Sequence, residues 1–464
     1  MKRIYIFILL FLTSLTYAQS STAQDTRRIS LRNAIDIALD NNYSLKQAEN
    51  NESAAQMQVQ SAKADYLPSL SASFGGSQRI GRQFNENTGN IVDATTNGVS
   101  GGANASVNLF SGFQNYNSLK SSQYNAQAQQ QNVDRIRETV IFETASRYLD
   151  LLLNKQLLRI DQQNLEISQD RLKKIKEQVN LGALPKADLY NQQSTVANNK
   201  LAVTNTQNSV KMSRIQLLRQ MQLSPEGRYD FVEPDISIDS TRITPKSYSL
   251  QQLIDAAINN RDDLQRQKYQ VTANQHQVEV SQANRYPSIS LSTSIRSSYN
   301  DRQRGLRGTA VDFSDQFFDL NINRSLGFNV NIPIFSNYNI SSQIQQQKIS
   351  YKNARLQLDN LEMQVVQEVT QAYNNYESII QRLESTREAL RAAELAYCTQ
   401  QERYNVGSAS FIELNQANAN YVQAQSNRIQ AVYNYLFQKE LLNYYIGELN
   451  DDITLEELQK SLSY

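Results

Sequence analysis

The chain has one cysteine (Cys398), one histidine (His276), no tryptophan and only 7 prolines in 464 residues. A lone cysteine excludes an intrachain disulfide, and at position 398 it cannot carry lipid at a mature N-terminus. One histidine with one distant cysteine cannot build the usual transition-metal site. Charge of neither sign is in excess: 46 Lys and Arg stand against 45 Asp and Glu, a net charge of +1. This gives no reason to expect a nucleic-acid partner, which usually leaves a basic excess. Beyond the first 18 residues no apolar run reaches the length of a transmembrane helix. Any portion inside a membrane therefore has to be a closed β-barrel. G-x-S-x-G and P-loop motifs are absent, and no nucleophile–base pair can be picked out. Neither catalysis nor a cofactor is expected.

What is present starts with an export signal. Lys2 and Arg3 precede an apolar stretch from Ile4 to Leu15, and Ala18 offers a small residue for cleavage. We assign residues 1–18 to this signal. The rest is polar, with a mean hydropathy of −0.57. Its aromatics are mostly Tyr, 25 of them. Scarce proline suits long helices.

The chain repeats once. Leu31 to Ser71 aligns with Leu250 to Ser290 at a constant offset of 219. Later the offset is 225, pairing Phe110 with Phe335, Tyr148 with Tyr373 and Gly182 with Gly407. The change falls between the blocks, where an exposed loop is expected. The repeats are residues 19–223 and 248–449. Residues 224–247, with Pro225, Pro234 and Pro245, form a connector packed on the outside. A tail, 450–464, carries Leu455, Leu458 and Leu462 at helical spacing.

Each repeat opens with helical spacing (Leu31, Ala34, Ile35, Ala38; then Leu250, Leu253, Ile254, Ala257), and Pro68 or Pro287 ends the next helix. The period then changes from 3.6 to 2. Ile289, Leu291, Thr293 and Ile295 alternate with Ser, as Leu70, Ala72 and Phe74 do. Ala103 to Leu109 and Leu326 to Ile332 alternate with Asn, Ser and Gly. A small-polar second face suits a barrel wall with lipid outside and water inside. Tyr66, Phe110, Tyr286 and Phe335 stand at the strand–helix junctions, where an aromatic girdle would lie. Gly75-Gly76 and Gly101-Gly102 read as bends, Arg324 as a rim residue, and 80–98 and 298–317 as solvent-facing loops. Long helices follow, about Gly112–Asn180 and Asn337–Asn405. Each carries a heptad stripe: Leu151, Leu158, Leu165, Leu172, Val179 and Val369, Tyr376, Leu383, Leu390, Tyr397, Tyr404. Gly182 and Gly407 turn the chain, and Pro185 suits the first turn of the returning helix. Four strands cannot close a barrel, so the chain must assemble with itself.

With these features the sequence resembles the TolC family of outer-membrane efflux proteins over about Ile29 to Leu449. The carrying motifs are Tyr66-Leu-Pro-Ser-Leu70 and Tyr286-Pro-Ser-Ile289 at the junctions. Two turns complete them: Asn180-Leu-Gly-Ala-Leu-Pro-Lys-Ala-Asp-Leu189 and Tyr404-Asn-Val-Gly-Ser-Ala-Ser-Phe-Ile-Glu-Leu414. The resemblance implies an α+β membrane protein. It would be a homotrimer with a 12-stranded outer-membrane β-barrel, continued by a periplasmic coiled-coil helical barrel. Its partners would be a periplasmic adapter, an inner-membrane transporter and outer-membrane lipids. The implied function is the exit duct of a tripartite pump for small molecules. A duct for type I protein secretion is the alternative, and a pore-free periplasmic coiled-coil scaffold is a reading of another class. The turns Gly182, Ala183, Leu184, Pro185 and Gly407, Ser408, Ala409, Ser410 would meet the adapter.

The resemblance also implies a gate at these turns. An acid six residues after the first glycine pairs with a tyrosine three before the second; here these are Asp188 and Tyr404. A second link needs an arginine where this chain has Ala409. Two acidic rings at the constriction fall on Glu413, which keeps the charge, and Gln416, which does not. One ring of Glu413 is therefore expected, with weakened cation selectivity.

Overall fold

A computed structural model of the chain describes residues 27–85, 89–233, 246–305 and 308–449. The export signal, the tail 450–464 and the connector's Pro234 and Pro245 lie outside these residues. In chain order the elements are β1 (Arg27–Ile29), α1 (Leu31–Asn41), α2 (Tyr43–Ala64), β2 (Ser69–Asn85), β3 (Asn90–Ser111), α3 (Gln114–Asn180) and α4 (Lys186–Gln220). Then come β4 (Tyr229–Phe231), α5 (Leu250–Asn260), α6 (Asp262–Ala283), β5 (Ser288–Asn300), β6 (Asn323–Asn331), α7 (Asn339–Asn405) and α8 (Phe411–Tyr445). The helices of the two halves match in length: 11, 22, 67 and 35 residues in each. The chain splits into two compact units, one of Gln47–Asp134 with Asp262–Gln364, the other of the remaining segments.

The first of these, the strand unit, holds an antiparallel sheet in the order β2-β3-β5-β6. The pleat gives it two unlike faces. Leu70, Ala72 and Phe74 share one face with Ala103, Ala105, Thr293, Ile295 and Leu326. Ser71, Ser73, Asn104, Gly102, Ser292, Ser294 and Gly327 share the other. The apolar face is bare: Leu70 is 79% exposed, Phe74 78% and Leu326 76%.

Several expectations need correction here. Residues 80–98 are mostly strand, with β2 and β3 paired out to Asn85 and Asn90. Their polar composition read as loop, but Ile80, Phe84, Ile91, Val92, Thr95 and Thr96 favour strand and the ladder satisfies the backbone. The alternation through Leu109 breaks at a bulge between Asn108 and Phe110, so Phe110 takes the apolar face opposite Ile289. Strand β6 ends before Ile332. The segment 298–317 is also partly ordered: β5 runs to Asn300, and a helical turn, Phe313–Asp315, leads into a π-turn, Gln316–Leu320. The paired glycines lie within strands. A Cβ on Gly101 would stand 2.6 Å from the Phe74 ring, so the close approach of an aromatic, not a bend, requires glycine there.

The other unit holds the hairpin turns. Strand β1 pairs in parallel with β4, so the connector contributes a strand and is partly internal: Phe231 is buried. The Tyr148 hydroxyl ties both strands to α3, donating to the carbonyls of Val232 at 2.7 Å and Ile29 at 3.1 Å. Burial first, then the Asp230 and Glu233 charges, push its pKa up, so it stays a donor. Lys155 and Arg159 both reach Glu233 at 2.9 Å. In the second half this anchor moves. Tyr373, aligned with Tyr148, is only half-buried and donates to Glu377, while the buried Tyr376 donates to the Lys246 carbonyl at 3.1 Å. The heptad stripe of α7 is buried from Val369 to Tyr397. That of α3 is buried only at Leu151. Further along, Ile160, Ser168 and Ile175 are buried while Leu158, Leu165, Leu172 and Val179 are half-buried.

Candidate gate at the hairpin turns

Both turns are built by the same local device. Gly182 and Gly407 adopt φ of +76° and +77°, a left-handed conformation that favours glycine. The Gly182 N–H donates to Val179 O at 3.0 Å and the Ala183 N–H to Gln178 O at 2.8 Å. Gly407 and Ser408 repeat this against Tyr404 and Arg403 at 3.0 and 2.8 Å. This is the double bond of a Schellman cap, which satisfies orphan carbonyls and reverses the chain. Leu181 and Val406, just before the glycines, are 84% and 79% exposed. Ala183 and Pro185 are exposed, and so are Ser408 and Ser410; Leu184 and Ala409 are half-buried.

The two returning helices begin differently. Pro185 is the N-cap of α4, one position before the expected first turn, and has no side-chain bond to give. Ser410 caps α8, and its Oγ accepts from the Glu413 N–H at 3.3 Å. The Glu413 carboxylate accepts from the Ser410 N–H at 2.7 Å and Oγ at 2.9 Å. These bonds complete a capping box. The Ser410 backbone bond first, its hydroxyl next, and the Arg403 charge hold the Glu413 carboxyl below the usual glutamate range. Glu413, expected at the constriction, thus has a local partner. Gln416 is exposed and bonds Asn420 at 3.0 Å along its own helix.

Asp188 is in the first turn of α4, free of a capping serine. It and Tyr404 are close enough to interact electrostatically: burial, then the Asp188 charge, raise the Tyr404 pKa, and Arg171 opposes them. Both side chains are half-buried, and no hydrogen bond joins them among the described residues. The arginine missing at Ala409 has a neighbour in Arg403, which donates to the Ser408 carbonyl at 3.1 Å and braces its own turn.

Sequence reasoning missed Arg171. From α3 it donates to Asn415 on α8 at 3.1 Å and to the Tyr397 hydroxyl on α7 at 3.3 Å. It is a charged tie between the hairpin of α3 and the hairpin of α7 and α8, as is Arg135 on α3, which donates to the Tyr444 carbonyl on α8 at 3.3 Å farther from the turns. Asn164 and Asn418 add a 3.0 Å bond between the same hairpins, and Tyr397 stacks on Tyr421 with centroids 5.5 Å apart. No motif flagged Arg171; its one signal was a cation beside the heptad position Leu172.

Among the described residues no group of three His, Cys, Asp or Glu could hold a metal ion, and no helix is long and apolar enough to cross a membrane. His276 bonds Asn117 through Nδ1 at 3.0 Å and stacks on Tyr124.

A bare-faced antiparallel sheet in one unit and long hairpins closed by glycine turns in the other define an α+β protein. The outer membrane efflux protein family model matches residues 34–221 and 253–448, so the chain belongs to that family, a family of the outer membrane. It is similar to outer membrane protein TolC of Salmonella enteritidis, 23% identical over 318 residues, covering 68% of this chain and 62% of that protein. The chain thus spans under two thirds of that relative. Outer membrane efflux protein BepC of Brucella suis biovar 1 is 23% identical over 410 residues, 88% of this chain and 83% of BepC. The CmeC outer membrane channel of Campylobacter jejuni shares the fold, with a TM-score of 0.75 at 17% identity over 96% of this chain and 94% of that one.

Proposed function

We propose that the chain is one third of an outer-membrane exit duct for small molecules, working with a periplasmic adapter and an inner-membrane transporter. The four-stranded sheet carries this reading. Its strands expose one apolar face and one face of Ser, Asn and Gly, and its outer strands β2 and β6 have no further strand beside them among the described residues. Open edges do not persist in lipid, where each backbone group needs a partner. Three copies, placed edge to edge, close twelve strands, with the apolar face toward lipid and the polar face toward water. The matching helix lengths in the two halves support an internal duplication with repeats 19–223 and 248–449.

In this duct the turns face the adapter, and the exposed Leu181 and Val406 supply apolar contacts beside Gly182 and Gly407. Asp188, Tyr404 and Arg171 hold the hairpins together in the closed state, and Glu413 lends one acidic ring. Gene deletion tests the reading, scored by drug susceptibility and by the secreted proteome. Raised susceptibility with unchanged secretion is expected. Loss of secreted proteins alone would move the duct to protein export, and a soluble monomer in cell fractions would end the duct reading.

A further inference from the structure

We propose that Arg296 makes the outer part of the barrel a recognition step for anionic solutes, namely carboxylates and phosphate esters. This rests on the duct reading, which turns the Ser/Asn/Gly face toward the water-filled lumen. On that face the described strand residues carry two charges, Arg79 and Arg296, and no carboxylate. Their settings differ. Arg79 lies opposite Thr96, in the part of the β2–β3 hairpin that runs on past the end of β5. Arg296 lies in the row Ser73, Gly102, Arg296, Asn323, which crosses all four strands.

The row makes room for it. A Cβ on Gly102 would stand 3.0 Å from the Arg296 Cγ and 2.8 Å from the Ile295 carbonyl oxygen, so the absence of a side chain lets the arginine stem lie across β3. A recess of about 910 Å³ opens around it, lined among others by Ser71, Ser73, Ser100, Asn104 and Ser298. The Arg296 side chain is exposed and has no hydrogen bond or ion pair among the described residues. Asp301, the residue after β5, is bound to Asn97 on the opposite face, at 2.8 Å. A guanidinium with its donors unused, ringed by hydroxyls and amides, matches the paired oxygens of a carboxylate or phosphate. Three copies around one lumen would focus that potential between low-dielectric walls.

Planar-bilayer recordings of the full chain test this, with citrate added on the side of the β2–β3 hairpin. Each variant is first checked for the heat-modifiable migration of the wild type. In wild type citrate reduces the current. Arg296→Gln is expected to weaken that block about tenfold, the loss of one charge-assisted group, and to lower the anion-to-cation permeability ratio about threefold. Arg296→Lys restores the ratio but not the block, because it lacks the planar fork. Arg79→Gln changes both far less. Equal block in wild type and Arg296→Gln, or an equal effect of Arg79→Gln, overturns the assignment while leaving the duct standing. A wild-type chain that forms no conductance removes the duct reading and this inference with it.

Discussion

Two residues at the turns illustrate how one side chain can be committed twice. Arg171 joins two hairpins through Asn415 and Tyr397. Replacing it with alanine removes two bonds from a charged donor in a half-buried setting, a loss of about 1.5–3 kcal/mol. Arg171→Ala is expected to raise single-channel conductance by loosening the hairpins, measured in bilayers beside wild type; unchanged conductance would remove Arg171 from the gate. Glu413 is committed to its cap. Its carboxyl is held below the glutamate value of 4.5, so the cap's contribution is complete above that pH. It is lost as pH falls through the lower, folded value. Amide exchange at Ser410 should therefore quicken as wild type is acidified below about pH 4.5 and stay flat, after correction for intrinsic rates, in Glu413→Gln. Glu413→Gln should also relieve block by multivalent cations, if three Glu413 form the acidic ring; equal block in both would exclude that ring.

At the level of elements, the two hairpins share their glycine turns and differ in their returning caps. Gly182→Ala and Gly407→Ala each force an L side chain into a left-handed conformation, at about 1 kcal/mol. Both should lower the melting temperature to a similar degree. Ser410→Ala should cost about 1 kcal/mol, since it removes a cap. Pro185→Ala should cost little, because Pro185 makes no side-chain bond. Thermal melts of the four variants check this, and a Pro185→Ala loss as large as that of Ser410→Ala would contradict it. The asymmetry leaves Asp188 free to act on Tyr404, while its counterpart Glu413 is occupied locally. The aligned pair Tyr148 and Tyr373 shows a similar divergence, since the buried anchoring role passes to Tyr376 one turn later.

For the molecule as a whole, the open edges of the sheet dominate. Strands β2 and β6 are the two outer strands of the four-stranded sheet and have no further strand beside them among the described residues. In a Cys398→Ser background, Ser71→Cys combined with a cysteine at Ser325, Gly327 or Asn329 should yield covalent trimers on mild oxidation for at least one pair. Cross-linking that stops at monomers for every pair would argue against edge-to-edge closure. Free edges and a bare apolar face also predict that the chain outside detergent or lipid aggregates, because both surfaces are templates for pairing.

Much of this architecture could be read from spacing alone. Periods of 3.6 and 2 marked the helices and the cores of the strands, since each period follows from backbone geometry that any one segment carries within itself. Gly182 and Gly407 marked the turns for the same local reason, the need for a positive φ. The length of the β2–β3 hairpin was not legible, because polar residues at 80–98 look like loop until a partner strand satisfies their backbone. Nor was the bulge at Leu109, which exists only relative to β5. The tie from Arg171 to Asn415, the seat of Arg296 over Gly102 and the capture of Glu413 by Ser410 depend on which side chains meet in space. The first two join residues distant in sequence. The last lies in the four residues Ser410 to Glu413, a capping-box spacing, but only the folded helix end brings the carboxylate onto the Ser410 N–H.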